Sequence, residues 1–106
     1  MTLTFTSGSK TTTSSESNFF DVTADRFFGM WVYLHNMTAS ETFRIKVYSL
    51  DSNTSTMRVY STYDISGVQA DPAFFIPMLP DREYKVTIQR TGGSDRAVTW
   101  KRIEVS

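Results

Sequence analysis

From Phe43 to Tyr48 the chain alternates strictly, with Phe43, Ile45 and Val47 on one parity and Arg44, Lys46 and Tyr48 on the other. Successive strand side chains point to opposite faces, so a period of two predicts a strand with one buried and one wet face and excludes a helix. The signal recurs between turn residues. Asp51-Ser52-Asn53-Thr54-Ser55 is turn chemistry, and Met57, Val59 and Ser61 then alternate against Arg58, Tyr60 and Thr62, which predicts a hairpin with the first strand. Tyr84, Val86 and Ile88 alternate with Lys85, Thr87 and Gln89. After the turn at Thr91-Gly92-Gly93-Ser94-Asp95, residues Arg96 to Val105 are expected to return as the partner strand. On that return Val98 and Trp100 share one parity and Ile103 and Val105 the other, which predicts a bulge near Lys101 and Arg102.

The remaining apolar segments obey the same grammar less cleanly. Phe27 to Leu34 is almost uniformly apolar and reads as a central strand buried on both sides, with Gly29 at a bulge or close approach. Phe19-Phe20-Asp21-Val22 is a short strand ended by a turn at Ala24-Asp25-Arg26, and Asp64 to Ala73 is a connection with room for one helical turn. Phe74-Phe75-Ile76-Pro77-Met78-Leu79-Pro80 is apolar but holds two prolines that cannot donate to a ladder, so it belongs at a sheet edge or in an extended loop. Seven or eight short strands with turns at roughly ten-residue spacing predict an all-β, antiparallel β-sandwich of the Greek-key or jelly-roll type. At 106 residues there is room for one core, and the eight Phe, five Tyr and two Trp can fill it.

The amino terminus stands apart. Leu3 and Phe5 alternate with threonines, whereas Ser7 to Ser17 contains no apolar side chain. Residues 1–17 therefore read as an extended arm on a flexible Ser/Thr-rich segment, and 18–106 as the sandwich domain. The alternative is that the arm is the first strand of its own sheet.

Composition narrows function mainly by exclusion. With no cysteine, thiolate chemistry, disulfides and cysteine metal sites are impossible. Eleven basic and eleven acidic residues are scattered rather than blocked, so neither nucleic acid nor a membrane surface is an expected partner. The amino terminus has no basic region followed by an apolar run, so no signal peptide is expected and synthesis in the cytoplasm is.

The single histidine, His35, has no motif neighbour and is expected at a strand end. No catalytic set, metal site or cofactor is expected, and the chain reads as a non-enzyme. Asp51, Asn53 and Thr54 lack the spaced carboxylates of a calcium loop and read as an Asx turn. Tyr48 and Tyr60, on the expected wet faces of neighbouring strands, would suit a carbohydrate-binding or adhesion module, the alternative function. The candidate contact residues are Leu3 and Phe5 on the arm and Phe74, Phe75, Met78 and Leu79 in the proline-bounded segment, where large apolar side chains need cover.

The stretch from Tyr84 to Arg102, with its Gly92-Gly93 turn followed by Asp95-Arg96 and the aromatic Trp100, resembles the closing hairpin of small β-sandwich virion proteins of tailed phages and related viruses. The likeness extends loosely back to Phe27. It implies a non-enzymatic structural protein of a virus particle, a capsid decoration protein or minor head or tail component. Its implied location is the virion, and its partners are copies of itself or other virion subunits in a homo-oligomer.

Overall fold

The structure, a computed structural model, describes residues 2–51 and 53–105; the side chains at 20–27 and 78–83 lie outside the described set. Six strands follow one another: β1 (Leu3–Thr11), β2 (Ser17–Tyr33), β3 (Thr42–Asp51), β4 (Thr56–Ser66), β5 (Ala73–Gly92) and β6 (Ala97–Val105). Their order is β1-β6-β2-β5-β3-β4, with every pairing antiparallel. Two of these strands are long enough to serve twice. β2 pairs with β6 only over Phe27–Tyr33, and β5 pairs with β3 only over Tyr84–Gly92. The result is two four-stranded antiparallel sheets. The first holds β1, β6, the second half of β2 and the first half of β5; the second holds the first half of β2, the second half of β5, β3 and β4. A β-sandwich of eight strand segments is what the turn spacing predicts, and the structure has it.

The inner faces meet as the alternation requires. Phe28, Met30, Val32, Leu34, Ile76 and Val98 come from the first sheet, and Phe43, Ile45, Val47, Ile65, Val86 and Ile88 from the second; all are buried. Each such side chain contributes roughly 1.5–3 kcal/mol by leaving water. Phe28 and Tyr84 stack across the sheets with centroids 3.7 Å apart and planes within 2°. The hairpin of β3 and β4 forms as expected, with Tyr60 falling at a register shift between Val47 and Tyr48. Asn53 donates its N–H to Asp51 Oδ1 at 3.1 Å, the expected Asx turn.

Several expectations fail, for one shared reason: strands change sheets without leaving extended conformation. The turn expected at Ala24-Asp25-Arg26 is a register shift inside β2, between Thr23 and Arg26, where the chain passes from one sheet to the other. Bulges commonly make such corners. Asp81-Arg82-Glu83, whose mixed charges ahead of a strand read as a solvated turn, likewise lies inside β5. β5 and β6 do not form a hairpin, because Gly92 to Ala97 carries the chain between sheets, and Trp100 pairs with Gly8 and Val32. The expected bulge in β6 is absent from both its ladders. Its inward parity continues through Val98, Trp100, Arg102 and Glu104, so the residues that share the core side at this end are charged. Glu104 is buried, accepts a hydrogen bond from the Tyr84 hydroxyl at 3.1 Å and ion-pairs with Arg102 at 2.9 Å. No helical turn forms between Asp64 and Ala73, since β4 runs to Ser66.

One end of the sandwich is knotted around Glu41, which is fully buried. Its carboxylate accepts from the Ser40 hydroxyl at 2.6 Å, the Thr38 N–H at 2.8 Å and Arg96 Nε at 2.8 Å. These bonds, that from Ser40 foremost, outweigh burial and hold the carboxyl well below the usual range. Arg96 in turn is tied to Thr12, its backbone N–H donating to the Thr12 side-chain Oγ1 and its carbonyl accepting from the Thr12 N–H, both at 2.9 Å. The knot thereby joins the β2–β3 and β5–β6 connections to the end of β1.

Candidate assembly surface

The amino-terminal segment is an edge strand, not a free arm. β1 pairs with β6 in unbroken register from Leu3↔Val105 to Thr11↔Ala97. The polar run orders without apolar residues of its own because β6 supplies a hydrogen-bonding template and its last residues are anchored. Thr12 is buried, and the Thr13 carbonyl accepts the Arg90 N–H at 2.8 Å. The Thr12 N–H donates to the Arg96 carbonyl one step beyond the Thr11↔Ala97 pair, and in an antiparallel ladder the residues that aim their backbone groups at the partner alternate. Even-numbered residues of β1 therefore aim N–H and C=O at β6, and Leu3, Phe5, Ser7, Ser9 and Thr11 aim theirs at the open edge. The opposite edge of this sheet is the first half of β5, where Pro77 and Pro80 fall as their missing donors demand. β1 contains no proline.

Side-chain polarity in β1 is inverted relative to an ordinary edge. Thr4, Thr6 and Gly8 lie opposite the inward Glu104, Arg102 and Trp100. A Cβ on Gly8 would sit 2.8 Å from the Trp100 ring, so this position must lack a side chain. Trp100 packs edge-on to Phe19, with centroids 6.4 Å apart. Leu3 and Phe5 point outward and are 54% and 61% exposed. They lie opposite Val105 and Ile103, both half-buried. Three strands from β1, Phe75, 38% exposed, meets Trp31 at 4.7 Å on the same outer face.

Of the six residues expected at contacts, Leu3, Phe5 and Phe75 thus share one face. Phe74 faces the core, its ring edge-on to Tyr63 at 5.0 Å. The side chains of Met78 and Leu79 lie outside the described residues. Trp31, Ile103 and Val105 belong to the same face and were missed. The parity change in β6 was their signal: it marks apolar side chains turned outward, not a bulge. The strand from Phe27 to Leu34 is central, as expected, but only Phe28, Met30, Val32 and Leu34 alternate into the core, and Trp31 stays half-exposed.

The outer face of the second sheet is different in kind. Glu16 accepts hydrogen bonds from the Tyr48 hydroxyl and Thr87 Oγ1, each at 2.5 Å, and Lys85 lies over the Tyr48 ring, 4.3 Å from its centroid. Burial, then the bond and charge of Glu16, push the Tyr48 hydroxyl up to about 12. For Glu16 burial acts upward, but the bonds from Thr87 and Tyr48 and the charges of Lys46 and Lys85 prevail and lower it. Tyr48 is therefore engaged on its ring face and at its tip, and the residue opposite it in β4 is Val59, with Tyr60 at the register shift. His35 is exposed in the turn after β2. Among the described residues no three His, Asp or Glu side chains cluster at metal-binding distance.

No family model matches this sequence, and no curated protein matches it. In structure the chain is similar to one solved under the words "Bacillus endospore appendages form a novel family of disulfide-linked pili". The TM-score is 0.62 at 14% identity, over 99% of this chain and 87% of that one. At that identity the likeness shows a shared fold.

Proposed function

We propose that this chain is a non-enzymatic structural subunit that assembles with copies of itself, a neighbour adding a strand along the open edge of β1. The observation that carries the reading is β1 itself, a proline-free edge strand with exposed Leu3 and Phe5. Such an edge invites pairing unless it is covered. The fold likeness to a pilus protein supports an assembling role. That protein's pili are disulfide-linked, whereas this chain has no cysteine, so its own contacts would hold no disulfide.

Two settings fit this role. A virion component, as capsid decoration or a minor head or tail protein located on the particle, rests on the sequence resemblance, although the stretch carrying it does not close as a hairpin. A surface fibre rests on the fold likeness and is the better supported. The test is Ser9→Pro, which removes a donor aimed at the open edge and leaves the ladder to β6 intact. The full chain should form filaments or ribbons by light scattering and negative-stain imaging, and Ser9→Pro should abolish them while remaining folded. A chain that stays monomeric at all concentrations overturns the reading.

A further inference from the structure

We infer that the outer face of the first sheet is a second, separate interface at which two copies of this chain pack sheet on sheet through Leu3, Phe5, Trp31, Phe75, Ile103 and Val105. The inference rests on the subunit reading above but uses a face, not an edge. The register places Leu3 beside Val105 and Phe5 beside Ile103 at one end of the face, and Trp31, which contacts Phe75, opposite Lys101, two residues along β6 from Ile103. Phe5 and Leu3 are more than half exposed in the single chain, which is uncommon for a contiguous apolar patch on a monomer.

Chemistry selects the occupant. Among the described side chains on the outward parity of this sheet, Lys101 is the one charge. A face docking on anionic lipid would carry a basic cluster. A sugar platform combines aromatic rings with a few placed polar groups, whereas the end built from Leu3, Phe5, Ile103 and Val105 is apolar throughout. A nearly neutral apolar face is compatible with its own copy, because no like charges meet over its apolar end. Area agrees. Strands of seven to nine residues at about 3.4 Å per residue and four strands at about 4.8 Å give a whole face of roughly 28 Å by 19 Å, or about 1,100 Å² across two copies when fully covered, which clears the roughly 1,000 Å² of a specific interface. Sheets packed in this way lie about 10 Å apart, as within a sandwich. Edge contacts would then extend a ribbon, and face contacts would pair two ribbons.

The experiment isolates the face by using the Ser9→Pro chain, in which edge addition is blocked. Sedimentation velocity over a concentration series should show a monomer–dimer equilibrium. Adding Leu3→Ser with Phe5→Ser should weaken it by about tenfold or more while the thermal midpoint moves by no more than a few degrees. Phe75→Ser, at a separate position on the face, should weaken it too. A Ser9→Pro chain that is monomeric throughout, or a dimer indifferent to both sets of changes, overturns the inference. So does binding to phosphatidylcholine vesicles or soluble polysaccharide that these changes abolish in a chain that never dimerises. Wild-type ribbons that stay paired after Leu3→Ser with Phe5→Ser overturn the face contact alone and leave the subunit reading standing; ribbons that separate into single ones support the face contact. A face dimer without wild-type ribbons does the reverse.

Discussion

Strands β3 and β1 carry the same alternation of apolar and polar residues and use it in opposite senses. β3 turns Phe43, Ile45 and Val47 into the core and Arg44, Lys46 and Tyr48 outward. β1 turns Thr4, Thr6 and Gly8 inward and Leu3 and Phe5 outward. A strand whose register slips by one residue exchanges its faces wholesale, so such an inversion requires something to hold it. In β1 the holding is done from inside, by the Gly8–Trp100 contact and the Glu104–Arg102 pair, and at the end by Thr12 and Arg96. Alternation therefore reports that a strand has two unlike faces. It does not report which face belongs to the molecule's own core.

The largest expected effect tests the β3 side of this comparison. Phe43→Ala removes a fully buried ring and should cost roughly 3–5 kcal/mol by chemical denaturation. A loss similar to that of an exposed residue would mean the second sheet does not carry the core assigned to it. Next in size is Gly8→Val, which drives a side chain against the Trp100 ring and should cost roughly 1–3 kcal/mol; a neutral result would show that β1 is not pinned in this register.

The knot at Glu41 sharpens the comparison through pH. Its folded-state carboxyl lies below its ordinary value of 4.5, so its stabilisation is complete above that value and is lost progressively as pH falls beneath it. The thermal midpoint of the wild type should therefore drop on acidification below about pH 4.5 more steeply than that of Glu41→Gln. Parallel curves would remove Glu41 from the account of how the end of β1 is tied down. The smallest expected effect is the most telling. Phe5→Ser should change the stability of the monomer by no more than about 0.5 kcal/mol, since the ring is exposed. A loss near that of Phe43→Ala would place Phe5 in a core and undo the inversion.

How much of this was legible beforehand follows from range. The alternation of β3, the β3–β4 hairpin, the Asx turn at Asp51 and the edge position of Pro77 and Pro80 each depend on neighbours close in sequence or on a missing donor. The sequence by itself determined these features, and with them the sandwich. What it left open was which strands pair across long separations. The partnership of β6 with β1 and β2 rather than β5, the passage of β2 and β5 through both sheets, and the burial of Glu41 and Glu104 depend on surfaces assembled from distant parts of the chain. Leu3, Phe5, Ile103 and Val105 show the consequence. Their apolarity is written in the sequence, but only the tertiary structure decided that they face outward, because Trp100, Arg102 and Glu104 already occupy the inner side of that corner.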